Sequence, residues 1–460
     1  MPRITIIGAG GYVFPLRLIE DILSFEELRD STLALQDIDA DRLERVATVA
    51  KKLVQMHNLP TRVEATTDQR AAIAGADFVI VTFQVGGLEA YRLDVEIPRK
   101  YGVDQTVGDT LGPGGVFRGL RSMAVFDEIC ANIHAVAKPD TLLINYANPM
   151  AINCWDVALN GVKHVGLCHS IQGTSHMMAR TIGVPYKDVV FQAAGINHQC
   201  WFTKFRRRSI GEDLLPLVRE TMARECLGIG GEPTRPREGI YEGPHNDRTR
   251  TAVLEYVFGQ GYKHPEQGVG GQAAFISESP HHTSEYFPYF RRTPADAQKW
   301  VLDRWDYYEC CCAHDEAGQV EHVLERTKEG FHPSHEYGAW ILHSMVTNTP
   351  RVIYGNVPNT GLITNLPEGC CVEVPCLVDG NGIQPTYVGD LPPTCAAINR
   401  TNINVQELAV KGHRTRDRYL VQSAIALDPL TAATCPIERI PEMVDELFTA
   451  QKPWLPQFSL

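Results

Sequence analysis

Cys168-His169-Ser170 closes an apolar run, His164-Val165-Gly166-Leu167, well downstream of a glycine cluster, Gly8-Ala9-Gly10-Gly11. A thiol next to an imidazole fits metal ligation or nucleophilic catalysis. Adjacent residues of an extended segment point to opposite faces, which makes a direct Cys168–His169 nucleophile pair awkward. His198 is the other candidate ligand. No local metal-ligand spacing links it to Cys168, and a buried small thiol or a satisfied core imidazole is the commoner fate of such residues.

The glycine cluster points to cofactor chemistry. The apolar run Ile4 to Ile7 meets Gly8-x-Gly10, and a helical stretch follows from Phe14. Such a turn lets the backbone approach a pyrophosphate at a helix N-terminus, where free N–H groups favour anions. The third position of the fingerprint is Val13 rather than Gly or Ala. Asp37 and Asp39 follow the second apolar run and are placed to bind ribose hydroxyls. Carboxylates there favour NAD over NADP, because a 2′-phosphate would be repelled. Gly8, Gly10, Gly11, Asp37 and Asp39 are the expected cofactor-binding set.

Further polar groups sit near the ends of apolar runs. Asp109 opens the stretch Thr110-Leu111-Gly112-Pro113-Gly114-Gly115, read as a turn or as a loop closing over nicotinamide or substrate, ahead of a helix from Arg118. Asn145-Tyr146-Ala147-Asn148-Pro149 ends a strand with two amides, which fits turn chemistry or the holding of a hydroxyl-rich ligand. His281 and His282 fit a solvated or capping pair as well as they fit proton transfer.

The elements that must position these groups alternate. Strands are expected at 4–7, 32–37, 77–81, 141–145 and 164–167, with helical spacing over 14–23, 41–57 and 118–137. The pattern predicts an α/β fold with an N-terminal Rossmann-like doubly wound sheet, whose ligands lie beyond the carboxyl ends of the strands. After Ile196 the alternation fades. Residues 227–248 read as a Gly-, Pro- and Arg-rich loop or lid, and 362–388 as short strands and turns. Helices are expected at 294–328, 335–347, 403–412, 416–426 and 440–450. Residues 1–195 are expected to form the NAD-binding domain and 196–460 a mixed α/β substrate and oligomerisation domain.

Composition narrows the partners. A net charge of −12, from 43 basic and 55 acidic side chains, argues against nucleic acid or an anionic membrane surface. No run approaches the ~18 to 20 apolar residues of a membrane span. The start, Met1-Pro2-Arg3, leads straight into a strand-like run, so no signal peptide is expected. Thirteen cysteines, odd in number and without a CxxC pair, read as reduced thiols in a cytoplasm-like compartment.

Several stretches together resemble glycoside hydrolase family 4, the NAD- and metal-dependent glycosidases. They are Gly8-Ala9-Gly10, Thr106 to Gly115, Asn145 to Met150, Gly166 to Ser170 and Ala194-Gly195-Ile196-Asn197-His198. The resemblance continues through Val352 to Asn356 and Gly369 to Pro375. It implies a fold like that of lactate and malate dehydrogenases, NAD and Mn²⁺ as cofactors, and a homo-oligomer. By softness alone, thiolate and imidazole ligands would suit zinc or iron. Cys168 to Thr174 is similar to the melibiase-type α-galactosidases, which implies an α-galactoside substrate.

The chemistry so implied differs from that of ordinary glycosidases, which flank the bond with two carboxylates. NAD oxidises C3, a metal-stabilised deprotonation follows at C2, the leaving group is eliminated at C1, water adds, and the hydride returns. The resemblance assigns Cys168 and His198 to the metal, Asn148 to substrate, His169 to the leaving group and Asp109 to tuning the base. His282 lies nearest the position of the base, a tyrosine in several relatives. The alternatives are α-galacturonidase, whose C6 carboxylate needs a cation such as Arg291, Arg292 or a loop arginine, α-glucosidase, and a hydroxy-acid dehydrogenase.

Overall fold

The parallel strands form where near-continuous apolar runs can be covered on both faces. In the computed structural model, which describes residues 2–11, 14–231, 247–259, 274–301, 306–310 and 322–458, these are β1 (Arg3–Ile7), β2 (Thr32–Gln36), β4 (Phe78–Val81), β5 (Leu142–Asn145) and β6 (His164–Gly166). An edge strand, β3 (Arg62–Thr66), completes the spatial order β3-β2-β1-β4-β5-β6, the strand order of dinucleotide-binding sheets. Of this set, β3 escaped the sequence reading. Its residues, Arg-Val-Glu-Ala-Thr, are largely exposed and lack a buried face to set a pattern.

Helices cover the parallel half: α1 (Phe14–Ser24), α2 (Ala40–Met56), α3 (Gln69–Ile73), α4 (Gly87–Lys100), α5 (Gly112–Val136), α6 (Met150–Leu159) and α7 (Ser170–Thr181). α6 gave no signal because most of its residues are buried, leaving no amphipathic stripe. α5 begins at Gly112, earlier than the expected start at Arg118, with Pro113 in its first turn. A Cβ on Gly115 would collide with the Thr110 backbone, and one on Gly114 would lie 2.7 Å from the Gly108 carbonyl oxygen. The glycines allow a helix start to press against loop 108–110, so residues 112–115 are helix rather than a closing loop.

The sheet does not stop at β6. Asn356 of β10 (Arg351–Pro358) lies opposite Gly166, and β11 (Cys371–Asp379), β7 (Val189–Ile196), β8 (Gln199–Arg207) and β9 (Phe275–Ile276) follow in antiparallel order. β12 (Gly382–Pro385) pairs with β11. Residues 195 and 196 both lie in β7. α8 (Leu215–Leu227), α9 (Arg248–Ala252) and α10 (Pro280–Tyr286) flank this half. The helix Pro393–Thr415 packs on α5 and α6. Of the helical stretch expected at 294–328, Pro294–Trp300, Tyr307–Cys310 and residues 322–326 are helical, while 302–305 and 311–321 lie outside the described residues. So does most of the expected loop, 232–246. Among the described residues, no helix is long and apolar enough to cross a membrane.

Candidate active site and metal centre

The glycine turn sits at the carboxyl end of β1. Gly8 has φ +83°, and a Cβ there would lie 2.7 Å from the Phe83 nitrogen. The Gly8 and Ala9 N–H groups both donate to the Gln36 carbonyl at 2.9 Å. Gly11 N–H reaches Gly8 O at 3.4 Å, which tightens the turn. Asp37 lies over it, accepting the Gly10 N–H at 2.8 Å, and a Cβ on Gly10 would meet that carboxylate. Asp39 does something else. It caps α2, accepting the N–H groups of Asp41 and Arg42 at 3.0 Å. Val13 lies outside the described residues. A bare-backbone turn with one carboxylate above it, between β1 and β4, fits a dinucleotide.

Cys168 follows β6, and its Sγ lies within 4.8 Å of donor atoms of His198 and Glu278. His198 Nδ1 is 2.8 Å from Thr110 Oγ1 and 3.5 Å from the Tyr286 hydroxyl. Its Nε2 is 3.6 Å from Glu278 Oε2. Partners on one ring nitrogen orient the other toward the open side, as is usual for ligating imidazoles. Burial raises the Cys168 pKa, and Glu278 and Glu373 raise it further. Thiolate, imidazole and carboxylate converging in a buried pocket fit a divalent cation with positions left for substrate oxygens. Sequence reasoning missed Glu278, since a single acid in a loop carries no spacing signal.

Proton-handling groups stand beside this triad. The Asn145 side chain is spent on its own turn, bonding Ala147 N–H and C=O, whereas Asn148 Nδ2 donates to Asp109 at 2.8 Å. Asp109 also accepts from the Thr110 hydroxyl at 2.7 Å and lies 3.5 Å from His282 Nε2. Ser279 caps α10 and holds His282 Nδ1 at 2.8 Å, with Glu278 at 3.5 Å. The His282 ring sits edge-on to His198, 4.7 Å between centroids. Burial works against charge on Asp109, but the His282 hydrogen bond and the two imidazoles hold its carboxyl well below the usual range. Glu278 is lowered in the same way, against burial, by His282 and His198. Burial disfavours a charged His282, yet Glu278 and Asp109 outweigh it and raise its pKa.

The remaining expected residues divide. His169 is not part of the triad. Its side chain is 75% exposed and faces Glu336 at 3.9 Å. His281 is buried. Glu373, fully buried on β11, is pushed up to about 7 by burial, with Glu278 adding to the effect, while His198, Asn197 and Asn356 oppose it. Both arginines proposed for a C6 carboxylate have other partners in the structure. Arg291 is buried on Ser284 Oγ (2.6 Å) and Thr106 Oγ1 (2.9 Å), and Arg292 reaches Asp296 at the surface. Of the loop arginines, Arg248 donates to the Lys299 carbonyl at 2.9 Å, and Arg235 and Arg237 lie outside the described residues.

Comparison with known proteins gives a consistent answer. The model of family 4 glycosyl hydrolases matches residues 3–184, and that of the family's C-terminal domain matches 193–431. An α-galactosidase of Rhizobium meliloti is 35% identical, covering 99% of this chain and 90% of the relative. An α-galactosidase of Bacillus subtilis is 33% identical over 100% of both chains. Among solved structures, a Bacillus subtilis protein provisionally described as a glucosidase has a TM-score of 0.81 at 26% identity, covering 97% of this chain and all of its own. A 6-phospho-α-glucosidase from gut microorganisms, solved with NAD and Mn²⁺, has a TM-score of 0.73 at 21% identity over 99% of both chains.

Proposed function

The chain belongs to glycosyl hydrolase family 4, and from that premise we propose that it hydrolyses terminal α-galactosides with NAD and a divalent cation, Mn²⁺. One observation carries the reading: the Cys168–His198–Glu278 triad and an Asp109–His198–His282 cluster share His198, with Asn148 bonded to Asp109, beyond the strand ends where the glycine turn would bring a nicotinamide. When bound, NAD would supply reversible oxidation at C3 and the cation would supply Lewis-acid withdrawal that acidifies the C2 proton.

The chain's own residues do the rest. Gly8, Gly10, Gly11 and Asp37 hold the dinucleotide. Cys168, His198 and Glu278 hold the cation. Asn148 orients sugar hydroxyls, Asp109 tunes the base, and His282 takes the C2 proton from a position braced by Ser279. His169, next to Cys168 in the chain and with an exposed side chain, gives a proton to the departing oxygen. The commitment of Arg291 and Arg292 to other partners favours a neutral galactoside over a galacturonide. Residues 1–195 act as the cofactor unit and 196–460 as the substrate unit. The two family models divide between 184 and 193, close to that seam. Free, mostly buried cysteines suit a reducing cytoplasm. Assembly as a homo-oligomer belongs to the same reading.

The test supplies catalytic NAD and Mn²⁺ with nitrophenyl α-galactoside, nitrophenyl α-galacturonide and a C2-deuterated galactoside. Cleavage of the galactoside alone, without net NADH and with loss of C2 deuterium to solvent, is expected. Stoichiometric NADH would make the protein a dehydrogenase, and cleavage of the galacturonide alone would reassign its substrate.

A further inference from the structure

Loop 105–108 leads directly into Asp109, and its backbone is tied down by one carboxylate. Glu285, in the last turn of α10, accepts the N–H groups of Thr106 at 2.7 Å, Val107 at 2.7 Å and Gly108 at 3.0 Å. Gln105 Nε2 adds a bond at 3.3 Å and the Thr106 hydroxyl one at 3.4 Å. Successive backbone N–H groups converging on one anion form a nest, here occupied by the protein's own side chain. Glu285 is 2% exposed, and Arg291, bonded to Ser284 and Thr106, supplies the nearby positive charge.

The connectivity gives this clamp a consequence. His282 lies one helical turn before Glu285 on α10, and Asp109 directly follows Gly108. The carboxylate that locks helix to loop therefore sets how Asp109 meets His282, now 3.5 Å apart. We propose that Glu285 is a positioning residue that fixes the Asp109–His282 geometry. This rests on the proposed function, in which Asp109 tunes His282 as the base. A carboxylate only accepts hydrogen bonds, whereas an amide of the same size must turn its NH₂ toward donors. Glu285→Gln therefore loosens the nest without opening a cavity.

The experiment uses the full-length enzyme with NAD and Mn²⁺. For Glu285→Gln, kcat on nitrophenyl α-galactoside is expected to fall about 100-fold, the loss that follows a misplacement of about 1 Å. KM should change far less than kcat, and the Mn²⁺ dissociation constant should stay within about twofold, because Asn148, Cys168, His198 and Glu278 lie outside the loosened loop. Amide hydrogen exchange should speed up at Thr106, Val107 and Gly108 and not across the sheet. Glu285→Asp, which keeps the charge on a shorter arm, should recover part of kcat, and it carries the same comparison if the glutamine variant does not fold. A kcat within about twofold of wild type, or parallel losses in kcat, KM, metal affinity and melting temperature, would overturn the proposal. A wild type that fails to cleave the galactoside would sink the functional reading, whereas unchanged exchange at residues 106–108 in an active variant would sink the clamp alone.

Discussion

A buried thiol flanked by carboxylates does not ionise on its own, and burial, Glu278 and Glu373 all push the Cys168 pKa upward. Cation binding must therefore displace a proton, so apparent Mn²⁺ affinity should tighten about tenfold per pH unit for each proton released. Titrating chelator-stripped protein with Mn²⁺ at two or three pH values measures that slope. A flat response would remove Cys168 from the ligand set. Glu278→Gln should weaken Mn²⁺ binding by at least the 10–100-fold typical of losing a metal's supporting partners. At this scale the sequence was half legible. Cys168, His198, Asn148 and Asp109 stand at strand ends or in motifs and could be found. Glu278 and Glu373 are isolated acids brought near Cys168 by a loop and a distant strand, and Glu285 is brought to loop 105–108 by a helix end, so only the fold reveals them.

At the scale of the element, two neighbouring aspartates separate. Asp37 lies over the glycine turn, while Asp39 satisfies two N–H groups at the start of α2. Asp39→Ala should cost about 1 kcal/mol of stability, the usual loss for an N-cap, and leave NAD affinity unchanged. Asp37→Ala should do the reverse, weakening NAD in a fluorescence titration with little change in urea unfolding. Equal loss of NAD affinity in both variants would return Asp39 to the cofactor site. The elements themselves were legible where burial imposes a period or a long apolar run, as in β1, β4 and α2. They were illegible where burial is nearly complete, as in α6, or slight, as in β3.

At the scale of the whole molecule, chemistry and stability meet in how the later half is tied to the parallel sheet. The helix Pro393–Thr415 crosses α5 and α6, and its end is held by charge. His413 Nε2 reaches Asp127 at 3.0 Å and Arg414 reaches Asp156 at 2.9 Å. Burial, with Asp127 adding to it, raises Asp156 from 3.8 to about 6, against the pull of Arg414 and His413. The native chain therefore keeps a proton that the unfolded chain releases. The stability contributed by that proton is complete below the unfolded pKa of 3.8 and is lost as pH rises through about 6. The shift corresponds to about 3 kcal/mol. Asp127 runs the other way. Its carboxyl is lowered against burial by His413 and Asn160, so its contribution is present above the unfolded value and fades in acid. Asp156→Asn cannot titrate, so urea unfolding of both proteins from about pH 4 to about pH 7 isolates the Asp156 effect. The variant should gain on wild type across that interval by up to about 3 kcal/mol and hold the gain above it. A difference that stays flat would mean that Arg414 keeps Asp156 ionised throughout, and that the tie between the two halves is a permanent ion pair rather than a titrating one.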